Sequence, residues 1–70
     1  MQKWEYLFVT FQVHKFYRPK EVNGKELQDW KRGPSMIDYF NQLGEEGWEL
    51  VRFKEFSYGK EVEAIFKRPK

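Results

Sequence analysis

Residues 43–51, LGEEGWELV, hold two glycines with two adjacent carboxylates between them, then a tryptophan that leads an apolar run. Three readings compete: a loop that cradles phosphate, a pair of catalytic acids, and a structural turn. Phosphate loops present backbone N–H groups at the start of a helix, where the dipole favours anions. Here the glycines follow a helical pattern, and the exposed carboxylates of Glu45 and Glu46 would repel a phosphate. The same objection removes a GxxG clamp on a nucleic-acid backbone. Adjacent carboxylates on a turn diverge into solvent, whereas a catalytic pair converges on its substrate. The stretch therefore reads as a helix C-cap, with Gly44 or Gly47 supplying the left-handed conformation that ends the helix, followed directly by a strand.

Upstream of the cap, Met36, Phe40 and Leu43 recur at helical spacing with Ile37 alongside, and Ser35 with Asp38 three residues on resembles a capping box after Pro34. Downstream, WELVRFKEF and EVEAIFKR read as strands joined by the turn SYGK. In the second, Val62, Ala64 and Phe66 face one way and Glu61, Glu63 and Lys67 the other, with Ile65 the apolar exception. Glu49 is expected to meet Lys67 or Arg52 across the sheet, a pair worth a few tenths of a kcal/mol. At the other end of the chain, KWEYLFVTFQV is aromatic and β-branched and reads as a strand with two mostly apolar faces: Trp4, Tyr6, Phe8 and Thr10, against Glu5, Leu7, Val9, Phe11 and Val13.

Between these lies the least regular part, residues 14–33. Asn23-Gly24 is the dipeptide that best tolerates the positive φ angles of a two-residue hairpin turn. With that turn, pairing sets Arg18 opposite Asp29, Tyr17 opposite Trp30 and, unfavourably, Glu21 opposite Glu26; Pro19 confines its strand to an edge. A partly ordered loop is the alternative. The whole is expected to be one α+β domain: a small antiparallel β-sheet of three to five strands with one α-helix packed on one face, in the order β-(β-hairpin)-α-β-β.

A helix of nine or ten residues is only about 14 Å long and cannot cover both faces of the sheet. The uncovered face is expected to carry Leu7, Val9 and Phe11, or their opposites, with Val51, Phe53 and Ile65. Apolar patches of that size mark interfaces, so a homo-oligomer is expected.

Composition narrows the function. Seventy residues bury only about 60% of the unfolded chain's surface, and with no cysteine and a single histidine, His14, neither a disulfide nor a zinc cluster is available to hold the fold. Packing must do so, and seven Phe, four Tyr and three Trp supply it. There is no membrane-length apolar run and no signal-peptide order at the N-terminus, so a cytoplasmic protein without membrane association is expected. Ser35 is better explained as a cap and Ser57 as a turn residue, which leaves His14 without a nucleophile to serve; no enzymatic activity, metal or cofactor is expected.

Binding is better supplied. His14, Lys15, Tyr17, Arg18, Lys20, Trp30, Lys31 and Arg32 interleave planar rings with cations, a surface that stacks on a base and neutralises phosphate. At a subunit interface it would enclose a small anionic, nucleotide-like ligand, with Arg18 or Arg32 fixing the phosphate through paired N–H donors. A protein-interaction adaptor that uses the open sheet face or the Pro19 edge is the alternative. Single-stranded nucleic acid ranks third, because the net charge is only +2 and residues 45–49 are acidic.

The combination of WEY at 4–6, FNQLGEEGWELV at 40–51 and a closing IFKRP at 65–69 resembles the small bacterial and phage family known as domain of unknown function 4177. The resemblance covers residues 3–11 and 36–69, and GWELV is its most specific block. It implies a compact α+β fold and supplies no activity, substrate or catalytic residue. Residues 14–33 are longer than a minimal member needs, which directs the search for specialisation there.

Overall fold

The computed structural model describes residues 1–56 and 59–70. Strands β1 (Trp4–His14), β2 (Phe16–Val22) and β3 (Lys25–Glu26) are followed by a 3₁₀ turn (Trp30–Arg32), helix α1 (Met36–Glu45) and strands β4 (Glu49–Glu55) and β5 (Glu61–Pro69). The five strands form one sheet in the order β3-β2-β1-β5-β4, with every neighbouring pair antiparallel. The α+β class and the strand–helix order agree with the expectation. Ser57 and Tyr58 of the expected SYGK turn lie outside the described residues.

The helix begins and ends as its sequence dictates. The Ser35 hydroxyl accepts from the Asp38 N–H at 3.1 Å. At the other end the Trp48 N–H donates to the Leu43 carbonyl at 2.9 Å and the Gly47 N–H to the Gly44 carbonyl at 3.0 Å. Gly47, at φ 90°, is the left-handed residue, and Gly44 stays inside the helix. Leu43 and Trp48, bonded through their backbones, also join the same apolar cluster, so the chain enters β4 already packed.

The core is one layer between α1 and the sheet: Val9, Phe11, Leu43, Val62, Ala64 and Phe66 are buried. Around it pack Leu7, Tyr17, Val22, Met36, Tyr39, Phe40 and Trp48. Phe11 meets Tyr39 and Phe40 edge-on, with ring centres 6.1 and 5.6 Å apart, and Phe40 meets Phe66 at 5.5 Å. Tyr39 takes the core-facing position that the spacing assigned to Ile37, which is exposed instead.

Two sequence expectations are corrected here. Leu7, Val9 and Phe11 were expected on the uncovered face; Val9 and Phe11 are 0% exposed beneath the helix, and Leu7 packs beside them. Register explains this, because Leu7, Val9 and Phe11 pair with Phe66, Ala64 and Val62, the apolar face of β5. The open face instead carries Trp4, Tyr6 and Phe8, all exposed, next to Ile65. Of the other expected interface residues, Phe53 lies on the helix side and meets Phe40 edge-on at 6.3 Å. Val51 is the inserted residue of a bulge, where the register shifts between Leu50 and Arg52.

The second correction concerns the hairpin. Asn23 and Gly24 do form its turn, at φ 53° and 84°, and Glu21 pairs with Glu26 as the register requires. The ladder ends there, so neither Arg18 with Asp29 nor Tyr17 with Trp30 is a cross-strand pair. The last bond of the series runs from the Leu27 N–H to the Lys20 carbonyl at 2.7 Å. Pro19, next in line, has no N–H to give, and a second bulge at Lys20 shifts the β1–β2 register just there. Pro19 is buried rather than lining a free edge.

Candidate functional site

Residues 14–33 form a compact surface at the β2 side of the sheet. His14 and Phe16 are paired with only Lys15 between them, and Lys15 takes φ 72° to make that reversal. Arg18 then ties the reversal down. Its Nε donates to the His14 carbonyl at 2.9 Å, its Nη1 donates to the Gly33 carbonyl, and its guanidinium lies 4.0 Å over the Phe16 ring. Two of the nitrogens expected to grip a phosphate are thus committed to backbone, which makes Arg18 the clasp between the β1–β2 reversal and the end of the 3₁₀ turn.

Beyond β3 the chain enters that turn through Asp29, itself left-handed at φ 57°. The Arg32 N–H donates to the Asp29 carbonyl at 2.9 Å and the Gly33 N–H to the Trp30 carbonyl at 3.0 Å. This places the Trp30 indole, half-buried, against β1 and β2. His14 meets it edge-on with ring centres 6.3 Å apart. The ammonium groups of Lys20 and Lys31 lie 5.6 and 5.9 Å from its centre. Asp29, Trp30, Lys31 and Arg32 line a shallow depression of about 390 Å³. The cations Lys20, Lys31 and Arg32 thus share the neighbourhood of this ring and its depression with the carboxylate of Asp29.

Of the eight residues expected to bind, the fold therefore gathers His14, Lys20, Trp30, Lys31 and Arg32 at one indole, with Arg18 as their support. Tyr17 packs against the core on the other side of the sheet, and Lys15 stands at the tip of the reversal.

A second surface was missed by residue number. The open sheet face carries Trp4, Tyr6 and Phe8, with Lys67 Nζ 4.3 Å over the Trp4 ring. Beside them Phe8, Arg52, Lys54, Glu63 and Ile65 line a depression of about 210 Å³. In register Glu49 lies opposite Lys67 and Lys54 opposite Glu63, while Arg52 lies opposite the apolar Ile65. Pairing with Val62, Ala64 and Phe66 was the available signal for which face of β1 stays open.

Among the described residues no helix is long and apolar enough to cross a membrane. A protein-family model described as "Domain of unknown function (DUF4177)" matches residues 4–69, nearly the whole chain. No curated protein and no solved structure matches it.

Proposed function

We propose, for a chain that belongs to the DUF4177 family and takes no activity from that description, that it is a non-catalytic, self-associating cytoplasmic module that binds a small anionic, nucleotide-like ligand on the Trp30 surface. The observation that carries this reading is the convergence of His14, Lys20 and Lys31 on one indole beside an open depression. A base stacks on the ring, while the lysines and Arg32 neutralise the phosphate.

Native mass spectrometry of the purified protein, followed by denaturation and analysis of released small molecules, tests for a retained ligand. Isothermal titration with adenosine and guanosine mono- and diphosphates tests the class. Binding is expected to fall at least tenfold in Trp30→Ala and in Lys31→Ala, and to weaken with salt. No released ligand together with no heat from any nucleotide would overturn the reading. Equal binding of inorganic phosphate would reduce it to an anion site without base recognition.

The exposed Trp4, Tyr6 and Phe8, beside the half-buried Ile65, support a second reading, an adaptor that docks a protein partner on the open face. Capture from lysate that is lost in Tyr6→Glu but retained in Trp30→Ala would favour it over the first.

A further inference from the structure

The sheet ends differently at its two sides. On the β2 side a short third strand and the Trp30 turn follow, whereas β4 ends the sheet on the other side with all seven residues exposed. Leu50, Val51 and Phe53 are 43, 50 and 42% exposed there. These three share the strand with the charged Glu49, Arg52, Lys54 and Glu55, and an exposed edge of this length is a template for another strand whose charges complement it.

The hydrogen-bond phase shows which groups that template offers. The Phe56 N–H donates to the Glu61 carbonyl, and antiparallel pairs alternate between bonded and unbonded. Lys54 with Glu63 and Arg52 with Ile65 are therefore bonded pairs, as is Glu49 with Lys67 across the bulge. Leu50 and Phe53 consequently turn their N–H and C=O groups outward. They differ by three in number, but the bulge at Val51 makes them two apart in phase, so both also place their side chains on the helix side, opposite Phe66 and Ala64.

We infer that β4 pairs with β4 of a second copy of this chain, antiparallel about a two-fold axis at the bulge. In that register Leu50 of each copy faces Phe53 of the other, exchanging both backbone bonds and joining apolar side chains. On the open face Glu49 of each copy faces Lys54 of the other. Each of these contacts occurs twice by symmetry. A register centred on Phe53 would instead set Arg52 against Lys54, two cations. The product is one continuous sheet through both copies, with the two Trp30 surfaces at its far ends.

Charge exchange tests the register by sedimentation equilibrium and native mass spectrometry. The wild-type chain is expected to dimerise. Glu49→Lys and Lys54→Glu each set like charges opposite twice, so each is expected to raise the dimer Kd by about tenfold or more. An equimolar mixture of the two variants restores opposite charges at both places, and a heterodimer near wild-type affinity is expected. Either substitution also disturbs a pair within the sheet, with Lys67 or Glu63, but a folding defect of that origin would not be rescued by mixing.

The chain has no cysteine, so Glu49→Cys combined with Lys54→Cys gives a clean second readout. The double variant is expected to form a disulfide-linked dimer on oxidation, and neither single variant is, since opposed Cα atoms about 4.5 Å apart fall within disulfide reach. A chain that stays monomeric at millimolar concentration overturns the inference. So does a dimer that neither charge substitution weakens, or one that mixing does not restore. Because β4 and Trp30 lie at opposite sides of the sheet, nucleotide titration of the Glu49→Lys variant reports on the ligand reading separately.

Discussion

Gly44 and Gly47 look equivalent in sequence, but alanine should move stability in opposite directions at the two positions. A Cβ built on either residue meets nothing within 4 Å, so no steric term enters and the backbone alone decides. Gly44 lies within α1, where replacing glycine by alanine lowers the entropy lost on folding, a gain of about 0.5–1 kcal/mol. Gly47 holds φ 90°, where an L-residue with a Cβ costs about 1–2 kcal/mol. For a domain of this size each kcal/mol moves Tm by about 4–8 °C. Gly44→Ala is therefore expected to melt about 2–8 °C above wild type and Gly47→Ala about 4–16 °C below it. Circular dichroism with thermal and urea unfolding reads both, and Gly47→Asn should recover part of the loss because asparagine tolerates the left-handed region. If Gly47→Ala melted with wild type, or if Gly44→Ala were the less stable of the two, the assignment of the cap to Gly47 would be wrong.

Arg68 closes the sheet onto the helix end: its Nε donates to Glu5 Oε2 and its Nη1 to the Glu46 carbonyl, each at 2.8 Å, and the guanidinium lies 4.3 Å over Trp48. Arg68→Ala should cost about 1–2 kcal/mol in urea unfolding, and Arg68→Lys should recover little, since lysine lacks the planar fork. Asn23 combines φ 53° with a side-chain oxygen that accepts from the Phe8 N–H at 2.9 Å. Asn23→Gly, which keeps the turn and loses that bond, should cost about 1 kcal/mol, and Asn23→Ala should cost more. Burial against the sheet, and then the nearby Glu46 carboxylate, raise the Tyr39 phenol above its ordinary pKa of 10.0. A raised folded pKa gives stability that is complete below the unfolded value and lost as pH rises through the folded one. Wild type should thus lose stability more steeply above pH 10 than Tyr39→Phe does, and parallel pH profiles would remove the effect.

The parts of this fold legible from residues are those where one pattern had one solution. In β5, apolar and charged residues alternate, so Val62, Ala64 and Phe66 could face only the helix. In residues 43–51 a glycine after a helical run, followed by a tryptophan, could serve as cap and staple at once. β1 has two apolar faces, and its own alternation is therefore silent about which is covered. That choice is made by β5, across a register no local pattern contains, and it puts Leu7, Val9 and Phe11 on the helix side and Trp4, Tyr6 and Phe8 on the open face.

The clustering of rings and cations in residues 14–33 is legible in the sequence as composition, but their arrangement around Trp30 is not. The hairpin register does not continue past Pro19, where the ladder has no donor, and the chain turns away into Asp29 and Trp30. That departure is what brings the indole over His14 and between two lysines. In the extended hairpin, Trp30 would have paired with Tyr17, whose side chain lies on the core side of the sheet. The missing N–H of one proline thus separates a tryptophan paired within a hairpin from one that stands half-buried beside His14 and two lysines. Inserting residues between Glu26 and Asp29 should consequently disturb ligand binding far more than stability.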